Sequence, residues 1–348
     1  MPRTTESVQT ATMRKTFKVI LGLLLLIALI SLYANLLHHR FFFTKVALKR
    51  MDTAFLKKGS DIAFKSGEAT LRGKLITHAP TGAKVPLLVF CVGSAQSSYA
   101  SNYSTFLDTF FIQNLPLDNL AILYFDKRGV GTSEGVWYDA DFEQRAADAK
   151  AAADYAKTLP FIDTTKILIA GHSQGGWIAQ VCLAKYPETF SAGISMAGPT
   201  FSVRKQLEND YTSVFICSEG LDKETAEKEA RNKVTRDIML ASFFPFQQNW
   251  RQLKVIKDFE PSAYLQRIKA PLLLLFGEND ALVYPTSSKE ALAKTFPKQL
   301  PSNFDTLTIK GATHSFTDAG LCDRGSSTRA KYSAQCKSVV RTWIQQHL

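Results

Sequence analysis

The sequence holds no basic run interleaved with aromatic residues, no zinc-finger spacing and no RNP-like segment. Its formal charge of +11, from 42 Lys and Arg against 31 Asp and Glu, therefore reads as a scattered basic surface and gives no case for nucleic acid. A phosphate loop is missing too. The turn Asp126-Lys127-Arg128-Gly129-Val130-Gly131-Thr132-Ser133 is Gly-rich, but it lacks the P-loop spacing and no G-x-G-x-x-G opens a helix there. Cysteine is scarce: the five residues are an odd number, which argues against a complete disulfide framework. Cys91 and Cys182 lie in apolar patterns and are expected to be buried as small hydrophobes. Cys322 and Cys336 flank a polar loop; a bridge between them in an oxidising compartment and two free thiols are both open. With 45% hydrophobic and 21% charged residues over 348 positions, the chain is neither disordered nor fibrous and is long enough to bury a full core.

Charge is absent altogether from residues 19–37, VILGLLLLIALISLYANLL. That length is close to what a helix needs to cross a bilayer. Arg14, Lys15 and Lys18 precede the run, and the positive-inside rule keeps them in the cytoplasm and exports the rest. His38, His39, Arg40, Lys45, Lys49 and Arg50 follow it and weaken that asymmetry. An uncleaved signal anchor competes with a signal peptide cleaved after Ala34. The anchor is favoured, because the run is long for a signal segment and the Leu32-Tyr33-Ala34 site is poor. No Cys stands just after the run to carry a lipid. The organisation expected is a cytoplasmic tail (1–18), a transmembrane segment (19–37), a juxtamembrane linker (38–60) and an extracytoplasmic domain (61–348).

Within that domain, 61–64 and 69–77 read as a hairpin turning at Ser66-Gly67. Short continuous apolar runs follow at 86–93, 120–125, 166–170, 192–196 and 272–276, with a further strand at 306–309; such runs suit strands buried on both faces. Helical patterns at 142–158, 175–186, 287–296 and 334–347 alternate with them. The fold class is α/β with a mostly parallel sheet. Residues 201–267 interrupt the alternation with charged helical sequence, read as a helical cap inserted over the site.

Gly171-His172-Ser173-Gln174-Gly175 lies between an apolar strand pattern and an amphipathic helix pattern. That setting is what a nucleophile elbow needs: a tight turn lifts the Ser Oγ above the sheet, and small residues flank it at two positions' distance. A serine hydroxyl needs a base. Of the six His, only His314 follows a late strand in a loop. The acid that orients it is expected at Asp280, with Glu278 as a competitor; Asp258 and Glu219 fall in the cap. The two oxyanion donors are assigned to the backbone N–H groups of Ser94 and Gln174. The turn at Asp126 reads as a structural turn beside this site, and Trp137 and Tyr138 as packing residues.

The segments VGSAQSS, YFDKRGVGTSEG, AGHSQGGWIAQ, MAGPT, FGENDALVYP and KGATHSF occur in this order. Together they resemble the α/β-hydrolase superfamily from about Ile62 to the C-terminus, nearest to bacterial secreted or membrane-attached enzymes related to the serine aminopeptidase S33 and dienelactone hydrolase branches. The resemblance implies an α/β-hydrolase fold with Ser173, Asp280 and His314 as triad. One departure is Val92-Gly93, where these proteins usually carry His-Gly. It also implies hydrolysis of carboxylic esters first, with amides, thioesters and lactones less common. The expected protein is thus a membrane-anchored serine carboxylesterase for small or medium acyl esters, with no cofactor and no metal. Three alternatives stay open: a peptidase or amidase using Glu219, Asp222 and Glu224 to hold an amine, an acyltransferase, and an inactive binding module.

Overall fold

The computed structural model describes residues 5–45, 48, 51–323 and 331–348. Residues 1–4 of the expected tail, and Lys49 and Arg50 of the basic stretch, lie outside the described residues. Eight strands form one sheet: β1 (Ser60–Ser66), β2 (Ala69–Ile76), β3 (Val85–Cys91), β4 (Ala121–Phe125), β5 (Ile162–His172), β6 (Ala192–Met196), β7 (Leu272–Gly277) and β8 (Phe304–Ile309). Their spatial order is β1-β2-β4-β3-β5-β6-β7-β8. The β1–β2 hairpin and the β2–β4 pair are antiparallel, and every later pair is parallel. All eight expected strands are present, with β1 and β5 running several residues longer than their apolar runs.

The helices used below are α1 (Thr5–Tyr33), α2 (Phe142–Lys157), α3 (Gln174–Lys185), α4 (Val203–Glu219), α5 (Lys223–Phe243), α6 (Gln248–Ile256), α7 (Pro285–Thr295) and α8 (Ala334–Gln346). The period-two geometry of a strand sends alternate side chains to opposite faces. In β3, Leu87, Val89 and Cys91 join the core under α2, α3 and α7, while Leu88, Phe90 and the following Val92 join the core under α8. The second core also takes Phe106, Phe110 and Phe111 from a short helix, Ser104–Leu107, and the π-turn that continues it, Asp108–Ile112. This element escaped the sequence reading, although Phe106 and Phe110, like Leu107 and Phe111, stand at the i, i+4 spacing of one helical face.

Helices α4, α5 and α6 come between β6 and β7, in the stretch expected to form the cap. Each of the first two starts on a capping side chain, since a helix leaves its first N–H groups unpaired. Ser202 accepts from the Lys205 N–H at 3.3 Å and Asp222 from the Thr225 N–H at 3.0 Å. Cys217, near the end of α4, is joined to Cys322 in the loop after β8. The possible bridge between Cys322 and Cys336 is therefore corrected: Cys336 is a free thiol, fully buried in α8, as Cys91 and Cys182 are buried in the main core. The stretch Thr12–Phe42 is helical, has a mean hydropathy of 2.5 over its most apolar window, and is long and apolar enough to cross a membrane. Only 6% of that window is buried, and 19 to 29 in α1 are exposed throughout.

Candidate active site

β5 ends at His172 and α3 begins at Gln174, so Ser173 alone makes the turn. Its backbone sits at φ 59° and ψ −124°, a conformation that costs a non-Gly residue energy and persists only where the surroundings enforce it. Here the Ser173 N–H donates to the Met196 carbonyl at 2.9 Å, and its own carbonyl accepts from Gly176 at 2.8 Å. The close packing of α3 on the sheet explains Gly175: a Cβ there would stand 2.1 Å from the Cys91 carbonyl oxygen, a backbone atom that cannot swing aside.

His314 follows β8, and its Nδ1–H donates to Asp280 Oδ2 at 2.8 Å. Asp280 follows β7 and is buried to within 1%. Its other oxygen, Oδ1, accepts the N–H groups of Leu282 and Val283, each at 2.8 Å. The carboxylate is thus held in place by its own loop, and the bond to Nδ1 leaves Nε2 as the imidazole's free acceptor. Ser173 and His314 line one cavity of about 210 Å³ together with Ser94. Glu278, the competing acid, points elsewhere: its Oε2 accepts the Gly311 N–H at 2.8 Å and steadies the start of the His314 loop. The structure therefore brings together Ser173, Asp280, His314, Ser94 and Gln174, with Ser94 and Gln174 flanking Ser173 in a larger cavity of about 430 Å³.

The loop carrying Ser94 is set by two buried cations that sequence reading missed. Lys127 Nζ donates to the carbonyls of Gly93 at 2.5 Å and Ala95 at 2.7 Å. Arg145, on α2, donates to Gly93 O at 3.1 Å and to Gln174 Oε1 at 2.8 Å. A trans peptide carries its C=O and the next N–H on opposite sides. Two donors that hold the Gly93 carbonyl therefore turn the Ser94 N–H the other way. Gly93 itself has no room for a side chain, since a Cβ would lie 2.3 Å from Tyr103 Oη. Burial pushes the Lys127 ammonium well below its usual range, with neighbouring Arg145 adding to the shift. The same desolvation brings the Arg145 guanidinium down to about 10. The sequence signal for Lys127 was the Asp126-Lys127-Arg128 turn, read as a structural turn beside the site, whereas Arg145 lies within α2 and had no such signal.

His172 was treated only as an elbow residue, yet it braces the base. Its Nε2 lies 2.8 Å from the His314 carbonyl and its Nδ1 lies 2.6 Å from Tyr103 Oη. With Nε2–H donating to the carbonyl, Nδ1 accepts from the tyrosine. Desolvation first, and the nearby His314 second, lower its pKa to about 3, so it stands neutral at ordinary pH.

Helices α4, α5 and α6 roof the larger cavity through Leu207, Asp210, Asp237, Trp250, Gln252 and Leu253. Trp177 Nε1 and Gln252 Nε2, both on cavity-lining residues, are buried donors with no hydrogen-bond partner. Glu219, Asp222 and Glu224 lie at the far turn between α4 and α5 and line no part of it. Asp237 does line it, but is engaged by Tyr211 Oη at 2.8 Å and Lys233 Nζ at 3.0 Å. Trp137 and Tyr138 are buried with Val130 in a small cluster of their own, and Trp137 also walls a cleft discussed below. Among the described residues, no group of three or more His, Cys, Asp or Glu side chains could hold a metal ion.

Known proteins resemble this chain to different extents. The chain is 28% identical over 183 residues to the alpha/beta hydrolase domain-containing protein WAV2 of Arabidopsis thaliana, covering 53% of this chain and 50% of that one. It therefore spans about half the length of that relative. It is 26% identical over 224 residues to the human serine hydrolase BPHL, covering 63% and 71% of the two chains. Among solved structures, the Pyrococcus furiosus esterase Pf2001 superposes with a TM-score of 0.57 at 17% identity, over 87% of this chain and 95% of that one. Est1E of Butyrivibrio proteoclasticus, solved with ferulic acid, gives 0.51 at 16% identity, over 82% and 98%. At such identities the structural likeness speaks for the fold alone. The model of the serine aminopeptidase S33 family matches residues 98–318, well over half of the chain and the part that holds Ser173, Asp280 and His314. The chain belongs to that family and has the α/β-hydrolase fold.

Proposed function

We propose that this protein is a membrane-anchored serine hydrolase of carboxylic esters that works through an acyl-enzyme. The observation that carries the reading is the Asp280–His314 hydrogen bond of 2.8 Å beside a serine at a strained strand–helix turn. His314 Nε2 takes the Ser173 proton as Oγ attacks the acyl carbon, and the oxyanion rests on the Ser94 and Gln174 N–H groups. Collapse breaks the acyl–oxygen bond, and His314 returns the proton to the departing alcohol. A water, deprotonated by His314, then attacks the acyl-serine; the carboxylic acid leaves and Ser173 regains its proton. Asp280 stays ionised, holding the ring and stabilising its cationic form.

The exposed apolar helix supports an anchor, and the basic residues before it support a cytoplasmic N-terminus. The Cys217–Cys322 bridge favours an oxidising, extracytoplasmic side for the domain. The amide-hydrolysing alternative finds less support: the acidic residues expected to hold an amine stand outside the cavity, and Asp237 already has a cationic partner. The test is hydrolysis of p-nitrophenyl esters of increasing acyl length by the full chain in detergent, beside Ser173→Ala. Activity lost in the variant, with fluorophosphonate labelling of Ser173 in the wild type, is the expected result. A folded wild type that neither hydrolyses nor labels would overturn the proposal in favour of an inactive binding module.

A further inference from the structure

The apolar helix does not merely tether the domain; its foot is built into the approach to Ser173. The Phe243 carbonyl ends α5, where a helix has no internal partner for its last carbonyl groups. It accepts from Ser31 Oγ at 2.9 Å and from Asn35 Nδ2 at 3.1 Å. Arg251 on α6 donates to the Asn35 carbonyl at 3.0 Å, and the His38 ring meets Phe246 edge-on at 5.0 Å. Ser31 lies six residues before Leu37, about 9 Å of helix rise inside the end of the charge-free run. The roof helices are thus joined to the span at a depth that belongs to hydrocarbon. Met239 and Phe243, one turn apart on α5, are 52% and 55% exposed to solvent there, and Phe42 at the foot of the span is 62% exposed.

Beneath this junction runs a second cleft of about 460 Å³, walled by Phe42, Phe43 and Trp137. It shares Ala95, Gln247 and Asn249 with the cavity that holds Ser173. The two adjoin along these residues, so that an approach from the foot of the span would pass Phe42, Phe43 and Trp137, with Thr44, Gln96 and Gln248 beside them, at its outer end and meet the amide side chains Gln247 and Asn249 at its inner end. The unpartnered donors Gln252 Nε2 and Trp177 Nε1 belong to that inner end.

We propose that the substrates are amphipathic esters resident in the bilayer, which reach Ser173 sideways through the cleft formed by the enzyme's own membrane helix. The acyl chain lies along Phe42, Phe43 and Trp137, and the polar part meets the amide-lined cavity. The chemistry is the hydrolysis given above: water cleaves the acyl–oxygen bond, and the carboxylic acid and the alcohol are released. The inference rests on that esterase reading and on the helix spanning a membrane. An apolar surface of this kind, beside a polar cavity, is what a membrane-facing opening requires.

The experiment uses the full chain in phosphatidylcholine vesicles and two esters with one leaving group: soluble 4-methylumbelliferyl acetate and 4-methylumbelliferyl oleate dissolved in the bilayer. Wild type is expected to cleave both. Phe42→Asp in the cleft wall and Phe243→Asp on the roof are each expected to lower the ratio of oleate to acetate rates at least tenfold. The acetate rate reports that a variant is folded, and Met239→Asp supplies an independent change of the same surface. A ratio within about twofold of wild type in all three variants would overturn the inference, as would a wild type that cleaves the acetate and ignores the oleate. Cleavage of neither ester by folded protein would overturn the esterase reading itself, and this inference with it.

Discussion

Lowering the pH from 7 to 5 should cost this fold stability through one side chain, His172. In the folded protein the imidazole is buried, donates to the His314 carbonyl and has its pKa lowered to about 3. In the unfolded chain it titrates at the ordinary 6.5. Between those values the unfolded state binds the extra proton, so stability rises with pH and falls on acidification. At pH 5 the unfolded imidazole is almost fully protonated while the folded one stays neutral, and the linked loss relative to pH 7 is about 2 kcal/mol. Asp126 works in the opposite sense. Desolvation raises its carboxyl to about 6, so acidification to pH 5 returns roughly 1 kcal/mol. The total pH dependence of the wild type therefore does not isolate His172, and a comparison does. His172→Gln keeps an N–H donor near the carbonyl and removes the titration. Urea unfolding of the full chain in dodecyl maltoside, followed by tryptophan fluorescence at pH 7 and pH 5, should show wild type losing about 2 kcal/mol more than the variant. Curves that shift in parallel would refute the neutral, buried His172 and its bracing of the base.

Asp280→Asn replaces the carboxylate that holds Nδ1–H by an amide that can present the wrong group; kcat on p-nitrophenyl esters should fall on the order of 10³–10⁴-fold with KM little changed. Lys127→Met removes two hydrogen bonds to the Ser94 loop, and kcat should drop about 10–100-fold through a misplaced oxyanion donor, whereas an unchanged kcat would show that Arg145 holds the loop alone. Gly175→Ala drives a methyl into the Cys91 carbonyl and should abolish recovery of folded protein from detergent extracts, checked against Gly220→Ala, where a Cβ meets nothing within 4 Å though the left-handed backbone there still carries modest strain. Cys217→Ser opens a bridge between residues 105 apart; loss of the cross-link should cost about 4–5 kcal/mol by the chain-entropy account, read as a lower melting temperature that the wild type matches only under reductant.

Much of the fold was legible because its signals are local. Continuous apolar runs mark strands buried on both faces, and every one expected is a strand of the sheet. Ser173 could be singled out because the elbow needs small residues at fixed offsets between a strand and a helix, all within a few positions. His314 followed by elimination among the six His, and Asp280 was favoured over Glu278 for its place after a late strand; the structure seats Asp280 2.8 Å from His314 Nδ1 and turns Glu278 to the Gly311 N–H. Cysteine pairing failed as an inference for the opposite reason: Cys322 had a nearer neighbour in sequence, Cys336, but α8 buries that thiol and α4 brings Cys217 alongside instead.

What the sequence determined alone is thus the alternation of strand and helix, the elbow, and the presence of an apolar segment long enough for a bilayer. Each depends on the order and size of residues close together in the chain. Tertiary structure decided the rest: Lys127 and Arg145 converging on the Gly93 carbonyl, His172 braced between Tyr103 and the His314 carbonyl, and Phe42 and Phe43 walling a cleft that adjoins the Ser173 cavity. The hydrogen bonds among them join residues from 34 to 142 positions apart. They arise from how eight strands order themselves and where an inserted set of helices comes to rest, and no local pattern in the chain encodes either.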